Sequence, residues 1–306
     1  MLARALRIAQ LVELAACLAV AAWLHAAHGW DALAIGAGVV AWFAGARLAL
    51  VMLSNAIAWL LRSPRAPAER IGVAGGFLLV LREWRALLAA NLLYLPWERL
   101  ALRADPPLAP SVPMPVILLH GYYANRGYFR PLVRALEARG VSPIFAPTFS
   151  QVLASIEDSA DELAAHVERI ASGTGHARVA LVGHSMGGLV ARAYAARHGE
   201  GRIACLVTLG TPHHGSVLAW LGLGRNAREM RPGSEFLARL ANADLTIRAR
   251  TTSIRSAHDN MVIPQASCRL EGAQDVVLPG LGHIAMLRSP RLVAGLVEAL
   301  EAARGA

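Results

Sequence analysis

The serine with the strongest chemical setting in this chain is Ser185. It lies in Gly183-His184-Ser185-Met186-Gly187-Gly188, directly after the apolar run Val179-Ala180-Leu181-Val182 and before a helical pattern over 189–196. A strand, a tight turn and a helix in that order lift a hydroxyl above the end of a sheet, with glycines easing the turn. A serine hydroxyl attacks an acyl carbon only when a base takes its proton and a third group orients that base. His283 fits the base, because it follows the last strand-like run, 274–278, on the loop Pro279-Gly280-Leu281-Gly282. Asp259 is the first choice for the orienting acid, closing the alternating run 247–254 through Arg255-Ser256-Ala257-His258. Asp275, inside the last strand, and Asp244, ahead of its own strand, compete for that role. The oxyanion of a tetrahedral intermediate needs donors, each worth about 2.7–4 kcal/mol of transition-state stabilisation. The backbone N–H groups of Tyr122, after His120-Gly121, and of Met186, beside the serine, are the candidates. His184 adjoins the serine and is expected to point away from it.

These groups need a scaffold, and the second two thirds of the chain supplies one. Strand-like runs at 116–119, 143–146, 179–182, 203–209, 247–254 and 274–278 are separated by helical patterns such as 131–139, 156–171 and 189–196. Strands alternating with helices predict an α/β class domain, with a mostly parallel sheet covered on both faces. The order Ser185, Asp259, His283 is the order of such a hydrolase triad. The stretch 116–300 resembles the α/β-hydrolase superfamily, especially the small cap-less bacterial serine lipases and esterases. The resemblance rests on His120-Gly121 after Val116-Ile-Leu-Leu119, the Gly-His-Ser-Met-Gly-Gly elbow, Ser256-Ala-His-Asp259 and Gly280-Leu-Gly-His-Ile284. It implies hydrolysis of carboxylic, often lipid, esters without a cofactor. Two stretches depart from the cap-less pattern: Leu209-Gly-Thr-Pro-His-His-Gly-Ser216 and Met230-Arg-Pro-Gly-Ser-Glu-Phe236 look like larger lipases with a mobile lid over 214–240. His213 and His214 lack a third ligand at metal-binding spacing, so they are expected on a polar site rim, and no metal is expected. The same triad also serves acyl transfer and thioester hydrolysis, with pocket shape deciding the acceptor; a catalytically silent scaffold is the rival from outside enzymology.

The first third reads differently. Apolar runs over 8–27 and 32–61 are each long enough to cross a bilayer core, which takes about 20 residues. The polar turn His28-Gly29-Trp30-Asp31 joins them as a transmembrane hairpin. Glu13 and Arg47, each costly in a membrane, either face one another inside the hairpin or snorkel toward an interface. The apolar stretch continues past any cleavage-like site, which argues against a removed signal peptide. Ser63-Pro64-Arg65-Ala66-Pro67 breaks the helix. Phe77, Leu81, Trp84, Leu88, Leu92 and Leu95 then trace one face of an amphipathic juxtamembrane helix, with Arg82, Glu83 and Arg85 off that stripe.

The expected segments are therefore a hairpin at 1–62, a juxtamembrane helix and Pro-rich linker at 63–112, and a catalytic domain at 113–306. Few contacts are expected across 105–115, so a chain starting near Asp105 is expected to fold and hydrolyse a soluble ester. Arg4, Arg7, Arg62, Arg65 and Arg70 flank the hairpin while its turn carries only Asp31. The positive-inside rule places both ends in the cytoplasm of a bacterial inner membrane; a third span over 71–100 would turn the domain outward. The apolar fraction of 55% with 17% charged residues excludes a disordered chain. The net charge of +9 is spread along the chain with no Arg cluster interleaved with aromatics, so nucleic acid is not expected as a partner. Three scattered cysteines make no disulfide framework.

Overall fold

The computed structural model describes residues 1–110, 113–243 and 246–304. The helices are α1 (Leu2–His28), α2 (Ala32–Leu60), α3 (Val73–Ala89), α4 (Glu98–Ala101), α5 (Arg130–Glu137), α6 (Ile156–Thr174), α7 (Met186–His198), α8 (Arg225–Glu229), α9 (Glu235–Ala243) and α10 (Pro290–Arg304). The strands are β1 (Val116–Leu119), β2 (Ile144–Phe145), β3 (Val179–His184), β4 (Ile203–Leu209), β5 (Thr251–Ser256) and β6 (Gln274–Leu278). They form one sheet in the order β2-β1-β3-β4-β5-β6, and every pairing is parallel. β1 and β3 are buried on both faces, as strands under helices on either side must be. Ile117, Leu119, Leu181 and Leu206 point toward α6 and α7, and Leu118, Val182 and Val207 toward α5 and α10. The run 247–254 is not one strand. Ile247–Arg250 forms a 3-10 turn, whose Ile247 carbonyl accepts from Thr251 Oγ1, and β5 begins only at Thr251.

The first third forms the helical hairpin that its hydropathy predicts. Gly29 ends α1 in the left-handed region at φ 65, and Asp31 caps α2 by accepting from Ala34 N at 2.8 Å. Both helices are long and apolar enough to cross a membrane by length and composition. Glu13 and Arg47 face one another: Arg47 Nη2 donates to Glu13 Oε2 at 2.7 Å, and Trp42 Nε1 donates to Glu13 Oε1 at 3.1 Å. The pair offsets the cost of each charge in an apolar setting, and of the two sequence readings the facing one is observed.

α3 departs from expectation in which face it buries. Leu79, Glu83 and Ala86 are its buried positions, continued by Ala90 in the next turn, whereas Phe77 is exposed. Trp84 of the predicted stripe instead turns toward α2, where its Nε1 donates to the Ala44 carbonyl at 2.8 Å. The helix passes into a single π-helical turn at Ala90–Tyr94 before α4, a distortion that recurs at functional sites. Contacts also cross the Pro-rich stretch: Asp105 Oδ1 accepts from Arg126 Nη2 at 2.7 Å and from Ala146 N at 3.2 Å.

Candidate active site

The turn between β3 and α7 holds Ser185 at φ 56 and ψ −126, a backbone region that costs a non-glycine residue of order 1–3 kcal/mol. The sheet and helix hold it there. Ser185 N donates to the Leu209 carbonyl at 2.9 Å, tying the turn to the end of β4. A Cβ at Gly187 would collide with the Leu119 carbonyl, so only glycine lets α7 start this close to β1. A Cβ at Gly121 would stand 2.8 Å from Ser185 Cβ, which sets the loop after β1 directly beside the hydroxyl. Tyr123 on that loop also has positive φ, at 51.

His283 and Asp259 meet at the carboxyl ends of β6 and β5. His283 Nδ1 lies 2.8 Å from Asp259 Oδ2, and the Asp259 carboxylate is fully buried. Its other oxygen accepts from Met261 N and Val262 N, each at 2.8 Å, which fixes the carboxylate plane. Asp275 forms a two-bond pair with Arg255 on the outside of the sheet instead. Asp244 lies outside the described residues. Burial alone would depress the His283 imidazole, but the adjacent Asp259 charge, their hydrogen bond and the nearby Glu83 carboxyl outweigh it and raise its pKa above the ordinary 6.5.

Ser185 and His283 line one cavity of about 290 Å³ with Gly121, Tyr122, Ser216, Leu218 and Met230. The segment after Ser216 covers one side of it, with a 3-10 turn at Val217–Trp220 followed by α8. Tyr122 holds that cover in place: its hydroxyl donates to the Leu223 carbonyl and accepts from Leu223 N, both at 2.8 Å. Trp220, Leu221 and Leu223 stand exposed at the rim, at 60%, 77% and 66%.

Four histidines differ from their sequence readings or lacked one. His184 does not point away; its ring lies 4.7 Å from that of His283, and its Nε2 is 3.2 Å from the His283 carbonyl. Burial pushes its pKa well down, so it is a neutral packing partner of His283. His213 is a core residue between Thr208 Oγ1 and Arg192, and His214 faces solvent near Glu271, so the two do not share a site rim. His120 is buried, with its Nε2 accepting from Phe149 N at 3.1 Å, and burial lowers its pKa to about 4.

Sequence reasoning missed the other residues at the site. The far wall of the cavity comes from the first third: Leu87 of α3 and Ala90, Asn91 and Leu95 from the π turn and just beyond. Asn260 Oδ1 accepts from His283 N at 3.0 Å. The Glu83 carboxylate accepts from Ile284 N at 2.9 Å and from Ala285 N at 2.8 Å.

Residues 114–226 match the family model of the α/β hydrolase fold. A lipase of Bacillus licheniformis in its mature form superposes with a TM-score of 0.56 at 18% identity, covering 64% of this chain and 96% of that one. The fold is that of the α/β-hydrolases. Among curated relatives, a triacylglycerol lipase of Pseudomonas fragi is 34% identical over 110 residues, 34% of this chain and 36% of that protein. One from Burkholderia plantarii is 34% identical over 113 residues, 34% of this chain and 31% of that protein. The chain thus spans about a third of the length of the curated relatives it matches.

Proposed function

We propose that this α/β-hydrolase is a membrane-anchored serine hydrolase that cleaves carboxylic esters of lipids. The observation that carries the reading is the buried Asp259–His283 pair, opening on the same cavity as a serine held at positive φ. Ser185 Oγ attacks the acyl carbon while His283 Nε2 takes its proton and Asp259 holds Nδ1–H. The N–H groups of Tyr122 and Met186 receive the oxyanion. The tetrahedral intermediate collapses, the alcohol leaves with the proton from His283, and an acyl-serine remains. Water, deprotonated by His283, attacks that ester; the acid departs and Ser185 regains its proton. The cycle draws on no cofactor.

Support for a lipid substrate comes from the exposed Trp220, Leu221 and Leu223 at the rim and from the apolar hairpin, which concentrates the enzyme at a bilayer. The relatives named triacylglycerol lipases point the same way. Arg4, Arg7, Arg62, Arg65 and Arg70 at the open end of the hairpin favour a cytoplasmic domain at the inner membrane.

A fluorophosphonate probe tests the reading on the full chain in detergent. Covalent label at Ser185 is expected, blocked by prior heat unfolding; folded protein left unlabelled would leave only a scaffold on a hydrolase fold. The pH profile gives a second expectation. The base works only when neutral, and its pKa is raised, so kcat/KM on a short soluble ester should fall on acidification through a midpoint above 6.5. An acid limb below 6.5 would mean that His283 does not feel Asp259 as the geometry requires.

A further inference from the structure

The loop that carries His283 is held from two sides by the first third of the chain. On one side stands Glu83 of α3, only 1% exposed. Both its oxygens are engaged: Oε1 accepts from Ile284 N at 2.9 Å, and Oε2 from Ala285 N at 2.8 Å and Ile284 N at 3.2 Å. A Cβ at Gly282 would collide with this carboxylate, so glycine before His283 is what lets Glu83 reach the loop backbone. No cation pairs with Glu83 among the described residues; burial pushes its carboxyl up, and the two backbone N–H groups oppose that by holding the charged form. On the other side, Ser54 of α2 accepts from Asn260 Nδ2 at 2.8 Å while donating to the Val51 carbonyl at 3.0 Å. That sets the Asn260 amide so that its Oδ1 accepts from His283 N at 3.0 Å.

A buried carboxylate without a cation partner is costly unless hydrogen bonds compensate it. An alanine at 83 would fill the same helix face without that cost. The carboxylate is spent on the two peptide N–H groups that follow His283, and its charge lies close to the imidazole.

We infer that Glu83 is a positioning residue for His283, and that α2 and α3 together clamp the catalytic loop through Glu83 and through Ser54–Asn260. The inference rests on the serine-hydrolase reading and goes beyond it: the segment that anchors the protein also sets the geometry and charge of its base. The groups facing His283 are Asp259, Glu83 and His184, with Tyr128 packed on His184 and with Arg82, Arg85 and Arg288 along the outer side of its loop. Removing the Glu83 charge removes one influence that favours the imidazolium.

The test uses the full chain in detergent with a short soluble ester. Glu83→Gln keeps the shape and loses the charge and one acceptor. It is expected to lower kcat by roughly 10–100-fold, as a small misplacement of a catalytic group does. KM should stay within about twofold, since Glu83 lies behind the loop and not on the cavity wall. The acid limb of kcat/KM should move to lower pH, which a merely structural defect would not produce. Glu83→Asp keeps the charge but falls short of the loop, so kcat should drop while the acid limb stays near that of the wild type. Ser54→Ala should lower kcat by a smaller factor. Glu83→Gln with unchanged kcat and acid limb overturns the inference. If Glu83→Gln does not fold, unchanged kcat in both Glu83→Asp and Ser54→Ala overturns it. Fluorophosphonate labelling of the wild type separates the two readings: a labelled wild type with indifferent variants sinks the clamp alone, whereas an unlabelled wild type sinks the serine hydrolase.

Discussion

Ser185→Ala is expected to lower kcat on a soluble ester by roughly 10⁶-fold, the order lost when a triad nucleophile is removed. The residual rate, roughly 10³–10⁴ above water, would come from the oxyanion donors and binding alone. Alanine fills the same space and keeps the backbone at φ 56, so thermal unfolding should shift little. Another serine at the cavity, Ser216, makes a poor substitute. Its hydroxyl donates to the Met261 carbonyl at 2.7 Å and accepts from Ile263 N at 3.1 Å. A loss smaller than about tenfold in folded Ser185→Ala would place the chemistry on another residue, since no triad enzyme survives loss of its nucleophile so lightly.

What the sequence made legible follows from how locally each feature is encoded. β1, β3 and β4 lie where their apolar runs predict, because buried parallel strands leave uninterrupted hydrophobic stretches. The Ser185 elbow was readable because its glycines, strand and helix are neighbours in sequence. Asp259 and His283 were readable by position, each being the polar residue closing a loop after a strand. The role of α3 was not readable. Its apolar stripe is the stronger periodic signal, and Trp84 of that stripe serves α2, while the face meeting the α/β domain is the modest series Leu79, Glu83 and Ala86, continued by Ala90. A charge in such a series looks like a solvated face until its partners, 201 and 202 residues away, are known. His184 was misplaced for a related reason. As the last residue of β3 it follows the strand's alternation, and the neighbour that draws it to the site is 99 residues distant.

A chain beginning near Asp105 provides the other large effect, and the structure turns the sequence expectation around. Its strands, helices and Ser185, Asp259 and His283 would all be present, which is why sequence alone predicts an active enzyme. The cut removes Glu83 from behind His283 and the wall formed by Leu87, Ala90, Asn91 and Leu95. It also removes the Leu95 carbonyl that accepts from Asn125 Nδ2 at 2.8 Å, and Arg65, whose Nε donates to the Ala257 carbonyl at 2.8 Å. Apolar surface now under these residues, including Ala124, Tyr128 and Leu281, would meet water. We expect such a chain to aggregate or, if folded, to lose about 100-fold or more in kcat on a soluble ester, the scale set by misplacing one catalytic group. A chain beginning at Ser63 separates the contributions. It keeps Glu83 and the cavity wall but loses Ser54, which supports Asn260, and Arg47, which donates to Asn91 Oδ1 at 3.2 Å. Its kcat should fall between those of the full chain and the shorter one. Equal activity in all three would mean that the first third only locates the enzyme; a graded series would mean that each helix of that third contributes to the active site.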